Sequence, residues 1–407
     1  MNMKESTKRE NKVIKYILFL INPFFGFFAT FGDLKSKSSY VIFLSFSVLF
    51  GICFSVPSGR TADFTGDGAV YRYRFDRMAE QSNDDFEKVY NEYIQFEEGE
   101  KDFYVTAVSY VTSRFTANYH WVFAVFAFVF SFFMLKSFRF LTEEKDFTNS
   151  FYCFILAIIF IMSNSIFNIN GVRFWTAAWI GVYCIFQIFV NRDNKYFLLA
   201  LITPFVHVSF FVYLLILVLA YFSKKSNAFW FVMFLISFFV ANFTQDLLKA
   251  SESYFPAFIS RTISLYTDQN IINQRNEDTL WYVKIFSFLE SFMVNFMVIL
   301  FYKNRALFLH NKRAYNLFLF LIVWMTFVNF SSAIPSLGGR FIQMSLPLIA
   351  YLWLIVFIRE RRYQNLLVFF LIAFSIDFIY ALRSILKVTE IDFYISSPLY
   401  LLYHYLL

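Results

Sequence analysis

Long apolar stretches separated by short charged turns set the pattern of this chain. Runs of about 17–25 apolar residues have the length of a helix that crosses a bilayer. They predict spanning helices near 39–57, 119–138, 150–168, 172–190, 227–244, 281–302, 315–334, 340–358 and 365–383. Two further apolar stretches, 13–31 and 195–221, do not fit a single crossing. There are no heptads, no low-complexity linkers and no obvious internal repeat. The expected architecture is one all-α polytopic membrane domain over residues 1–407, a bundle of about 10–11 transmembrane helices.

The turns give the orientation. Segments 136–145, 191–196, 221–225, 303–313 and 359–363 carry Lys and Arg, which favours the cytoplasmic side. Loop 58–118 has twelve Asp or Glu against seven Lys or Arg, and loop 245–280 has five against three. Both are expected on the outer side. Segment 195–221 then has basic residues at both ends, although as one helix its length would be roughly 40 Å, too short for two full crossings. With Pro204 in its first half, it reads as a re-entrant pair of half-helices. Stretch 13–31 contains Pro23 and Gly26, with Lys12 and Lys15 before it and Lys35 and Lys37 after it; a hairpin and an interfacial helix both fit. Residues 103–117 and 393–407 read as amphipathic helices lying on the outer leaflet.

Composition agrees with the membrane assignment. Of the 407 residues, 58% are apolar and 16% charged, where a soluble domain has about 25% charged. The 62 phenylalanines exceed what a soluble core could hide, but lipid can solvate them. The net charge of +7 follows from basic cytoplasmic turns, and its short blocks give no nucleic-acid patch. Cys53, Cys153 and Cys184 all lie in apolar runs, which argues against a disulfide framework and against a metal site. No cleavable signal peptide is evident. No Walker loop, dinucleotide fingerprint, His-Glu-x-x-His or nucleophile elbow is present, so no cofactor or metal is expected.

Four places offer chemistry. Ser58 to Tyr71, just after the 39–57 span, carries glycines that allow a tight turn and leave Arg60 and Asp67 free to project. An ordinary solvated loop explains the same spacing. Asn170-Gly171-Val172-Arg173 joins two spans by a short outer turn, and Arg173 opens a helix whose N-terminus is already partly positive. Such an arginine either serves a site or snorkels to lipid phosphate. Pro335-Ser336-Leu337-Gly338-Gly339-Arg340 repeats the motif of an arginine opening an outer helix end. Together Arg173 and Arg340 would hold a diphosphate. His207, between Pro204 and Ser209, is an ionisable group at membrane depth, as are Glu290 and Asp377. A neutral His207 that hydrogen-bonds between helices is the alternative.

These residues resemble the EpsG-like membrane proteins. Gly59-Arg60, then Gly66-Asp67 with Tyr71 four residues later, matches the start of that pattern. The more specific match runs from Asn170-Gly171-Val172-Arg173 through Asn191-Arg192-Asp193-Asn194-Lys195-Tyr196 to Phe205-Val206-His207-Val208-Ser209. Where the family often has Arg-Gln, this chain has Arg173-Phe174. EpsG-like proteins are similar to Wzy-type polymerases of O-antigen, capsule and exopolysaccharide. The resemblance implies a glycosyltransferase of the large multispan (GT-C) class in the bacterial cytoplasmic membrane. Its partners would be undecaprenyl-diphosphate-linked oligosaccharides, with a chain-length regulator as a further candidate. Asp67 or His207 would be the base, Arg60, Tyr71, Arg173 and Arg340 the diphosphate contacts, and Glu290 and Asn170 cavity residues. A half-helix from Lys195 to His207 reaches only about 18 Å, so the outer cavity must descend to meet it. A ligase-type glycan transferase and a flippase of lipid-linked sugars are the rival readings.

Overall fold

A computed structural model gives the structure of residues 3–62, 64–80, 83–95, 102–223, 227–254, 280–332, 334 and 337–407, with isolated positions 260, 264, 268 and 277. Most of the 245–280 loop, residue 224, Asp63 and Pro335-Ser336 lie outside these described residues, as does the side chain of Asp377. The described residues form helices and turns with no strand. In chain order the helices are α1 (Met3–Ile21), α2 (Pro23–Thr30), α3 (Lys37–Ile52), α4 (Asp67–Glu80), α5 (Asn83–Ile94), α6 (Phe103–Ser113), α7 (His120–Thr142), α8 (Phe151–Met162), α9 (Val172–Ile185), α10 (Tyr196–Ala200), α11 (Thr203–Val206), α12 (Phe210–Phe222) and α13 (Asn227–Ser251). There follow α14 (Trp281–Lys303), α15 (Arg305–Leu309), α16 (Lys312–Phe330), α17 (Gly338–Gln343), α18 (Ser345–Val356), α19 (Arg361–Ile385), α20 (Asp392–Ile395) and α21 (Pro398–Leu406).

Five helical stretches among the described residues are long and apolar enough to cross a membrane: His120–Thr142, Phe151–Asn191, Trp281–Lys303, Lys312–Phe330 and Gly338–Val356. The second is a hairpin of two arms. Its turn is a 3₁₀ segment, Ile166–Gly171, and its arms pack with the Phe160 ring stacked on Trp179 at 5.8 Å. On α13 the exposed Phe229, Val232, Ile236, Phe239 and Phe243 recur every three or four residues. A stripe this apolar and this exposed needs lipid around it. The phenylalanine surplus therefore covers the outside of the bundle as well as filling its core. Between spans, Asn329 donates to Asn295 across 2.9 Å, a buried polar contact that fixes α14 against α16.

Hydrogen bonds sort the turns into two ends. At one end Tyr351 reaches Glu144, Arg359 pairs with Asp146, Tyr363 reaches Asn304 and Asn194 reaches Tyr221. These are the Lys- and Arg-bearing turns, gathered on one side as the charge rule requires. At the opposite end lie residues 55–62, 64–72, 102–120 and 164–173, drawn together around Arg173.

The two difficult stretches are both hairpins. In 195–221, α10 and α11 rise from the basic end, the chain breaks at His207 in extended conformation, and α12 returns. The Asn194 amide donates to the Tyr221 hydroxyl at 3.0 Å, closing the base. Both ends therefore sit on the same side, as a re-entrant segment requires. Stretch 13–31 resolves as α1 and α2, turning at Asn22-Pro23, where the Asn22 side chain caps α2. Helix α6 packs on α4 and α7 with Val105, Thr106 and Ser109 buried, while Val111 and, just past the helix end, Phe115 stay exposed. It is amphipathic as expected, but its buried face meets protein.

The charge-based orientation makes a topology prediction. In a chain whose native cysteines are all buried, a cysteine placed at exposed Ser58 should react with an impermeant maleimide in intact cells. One placed at exposed His310 should react only after permeabilisation. The reverse pattern would invert the orientation.

Candidate active site

The end opposite the basic turns holds a charged cluster built from four segments. Arg173, in the first turn of α9, bonds a neighbouring side chain through each of its three guanidinium nitrogens. Nε donates to the Tyr71 hydroxyl at 3.0 Å, one terminal nitrogen to Asp102 at 2.8 Å, and the other to Asp67 at 3.3 Å. The other Asp67 oxygen accepts from Arg60 at 2.9 Å. Tyr71 in turn donates to the Asn170 carbonyl at 3.2 Å. Burial pushes the Tyr71 phenol up to about 12, against the pull of Arg173, so it serves as a neutral donor.

The local sequence explains the geometry. The Asn170 side-chain oxygen accepts from the Gly68 backbone N–H at 3.2 Å. A Cβ on Gly68 would lie 2.8 Å from that oxygen and from the Phe54 ring, so only glycine allows this approach. Gly68→Ala should push Asn170 off α4 and loosen Tyr71 with it. The expected result is a loss of about 1–3 kcal/mol in stability, because the displaced acceptor and the donor facing it both lose partners. Gly339→Ala, whose Cβ would meet nothing within 4 Å, is the control in which thermal unfolding should show no loss of stability.

Asp102 is the residue that sequence reasoning missed. Its side chain is 3% exposed. An Asp just before a helix ordinarily caps it, yet Asp102 makes no side-chain bond to its own helix α6. One oxygen instead takes Arg173 and the other accepts from the Val208 backbone N–H at 2.7 Å. This carboxylate joins the arginine to the tip of the 195–221 hairpin. The only sequence signal is its position as the last acid before an apolar run.

His207 sits at that tip. Its Nδ1 lies 2.8 Å from the Ser209 hydroxyl and accepts from the Ser209 backbone N–H at 3.3 Å. A neutral ring so held carries its proton on Nε2, which has no partner among the described residues. The ring meets Phe174 edge-on at 5.3 Å, and on the same Phe174 ring the Arg340 guanidinium sits at 5.5 Å. Among the described residues Arg340 has no carboxylate partner. Glu290 is buried between α14 and α17, where Gln343, one turn beyond Arg340, donates to it.

The site residues expected from sequence therefore separate into groups. Arg60, Asp67, Tyr71, Asn170 and Arg173 form one bonded network, joined by Asp102 to the His207 tip. Arg340 reaches the same place through Phe174. Glu290 is held separately, by Gln343. From sequence, a diphosphate is the anion expected to compensate Arg173; in the structure two carboxylates already surround it.

The fold and the cluster define a polytopic membrane protein with a charged site at one end of its bundle. Residues 40–396 match the EpsG family, and the chain belongs to that family, which is associated with Wzy-type polysaccharide polymerases. No curated protein and no solved structure matches it.

Proposed function

We propose that the protein joins undecaprenyl-diphosphate-linked oligosaccharide repeat units into O-antigen, capsule or exopolysaccharide on the outer side of the cytoplasmic membrane. Family membership supports polysaccharide assembly. The observation that carries the finer reading is Arg340, a guanidinium without a carboxylate partner among the described residues, set against Phe174 beside the Arg173 network. An anion is the natural occupant there.

In this reading Arg340 and the exposed Arg60 hold the diphosphate of the donor chain. An acceptor hydroxyl attacks the anomeric carbon as the bond to the diphosphate breaks. Undecaprenyl diphosphate leaves with the electron pair, and its developing charge is met by the arginines and by the His207 Nε2–H. The hydroxyl proton passes to Asp67, the more exposed of the two carboxylates. Arg173, with each of its three nitrogens bonded to a neighbouring side chain, positions Asp67 and the hairpin tip. Deletion of the protein should leave single repeat units without long chains. Persisting long polymer, with lipid-linked units accumulating on the inner leaflet, would show a flippase instead.

A further inference from the structure

At the basic end of the bundle, away from the arginine network, α3 and α7 border a cavity of about 300 Å³. The two helices run antiparallel. Gly51 lies against Ala127 towards the outer end, and the Tyr40 hydroxyl is hydrogen-bonded to Thr142 at the basic end. Three cations line the cavity, Lys37 from the first turn of α3 and Lys136 and Arg139 from the last two turns of α7. Most of the remaining wall is apolar, with Val41, Leu44, Phe132 and Leu135.

The charges in this cavity are only partly met. Arg139 pairs through Nε with Glu143 at 2.9 Å. Its guanidinium lies over the Tyr40 ring at 5.3 Å, and the Lys136 ammonium over the Phe132 ring at 5.4 Å. Neither Lys37 nor Lys136 has a carboxylate partner among the described residues. Like charges gathered this way repel until an anion joins them. The apolar wall continues onto the lipid-facing surface. Val41 is 50% exposed and Phe132 38%. Phe128, one turn nearer the bilayer centre, is 47% exposed and stacks on Phe132 at 6.1 Å. Cations at the interface with an apolar face below them match the order of groups in a phospholipid.

We propose that this cavity seats the headgroup of an anionic phospholipid of the cytoplasmic leaflet, of the phosphatidylglycerol class, with an acyl chain along Phe132 and Phe128. Basic pockets between spanning helices on the cytoplasmic side suit such headgroups. A zwitterionic lipid would bring its own cation into the cluster and gain less. A free phosphate would meet the charges but leave the apolar face unused. The bound lipid ties the basic ends of α3 and α7 together, and this role does not depend on the polymerase reading.

The test is titration of the full chain in neutral detergent with dioleoyl phosphatidylglycerol, followed by native mass spectrometry and thermal unfolding. One lipid per chain should be retained, with Tm several degrees above that in dioleoyl phosphatidylcholine at the same concentration. Lys37→Gln and Lys136→Gln should each weaken retention about fivefold, whereas Lys136→Arg should preserve it. Lys312→Gln, which removes an exposed cation outside the cavity, should change nothing. Inorganic phosphate should give no comparable rise in Tm. The proposal is overturned if phosphatidylcholine stabilises equally, if phosphate matches the lipid, or if Lys37→Gln combined with Lys136→Gln retains phosphatidylglycerol as well as Lys312→Gln does.

Discussion

Replacing Arg173 by Ala should destabilise the protein as well as abolish polymer. The guanidinium is the partner of Asp102, whose side chain is 3% exposed, and its removal leaves a buried carboxylate uncompensated. Breaking a buried ion pair on one side costs about 3–5 kcal/mol. A lower Tm in detergent and a reduced protein level are the expected readouts. Adding Asp102→Asn should restore part of the stability, because the orphan charge is gone and the amide oxygen can still accept from Val208 N–H. Activity should stay lost in the double variant, since Asp67 and the hairpin tip are no longer held together. If Arg173→Ala unfolded at the wild-type temperature, the network would carry little energy and its residues would have to be assigned separately.

Arg340→Ala should behave differently. Its contact is with the Phe174 face, so stability should change little while polymer formation falls. A charge-assisted bond to an anion is worth about 1.5–3 kcal/mol, or roughly ten- to a hundred-fold in rate if expressed in the transition state. Arg340→Lys should recover only part, because an ammonium cannot make the two-pronged contact with phosphate oxygens. Rates of chain growth with matched amounts of protein decide this. Full activity in Arg340→Ala would make the residue a lipid anchor and move the diphosphate site towards Arg60.

Much of the fold is legible in the sequence because lipid demands long apolar helices and the charge rule orders their turns. The hairpin at 195–221 is readable from basic residues at both ends and Pro204. Helix ends are less so. The 39–57 run ends its helix at Ile52, since the following segment is tied sideways by Ser55 N–H to the Val388 carbonyl, and the 150–168 run leaves α-helical form after Met162. Arg173 stands out by its unfavourable place at a helix start, and the structure shows what that anomaly means. Its compensating charges lie 71 and 106 residues away, at Asp102 and Asp67. No local pattern selects Asp102 from the other acids of its loop, because its usual reading is a helix cap. Only the packing of α6 against the hairpin tip reveals the bond to Val208.

Bond formation between lipid-linked glycans is the step to measure directly. Purified protein in liposomes would be supplied with undecaprenyl-diphosphate-linked repeat units and no nucleotide sugar. The expected result is a ladder of longer glycans with release of one undecaprenyl diphosphate per bond formed, slowed roughly ten- to a hundred-fold in Arg340→Ala. Units that change leaflet without lengthening would contradict it.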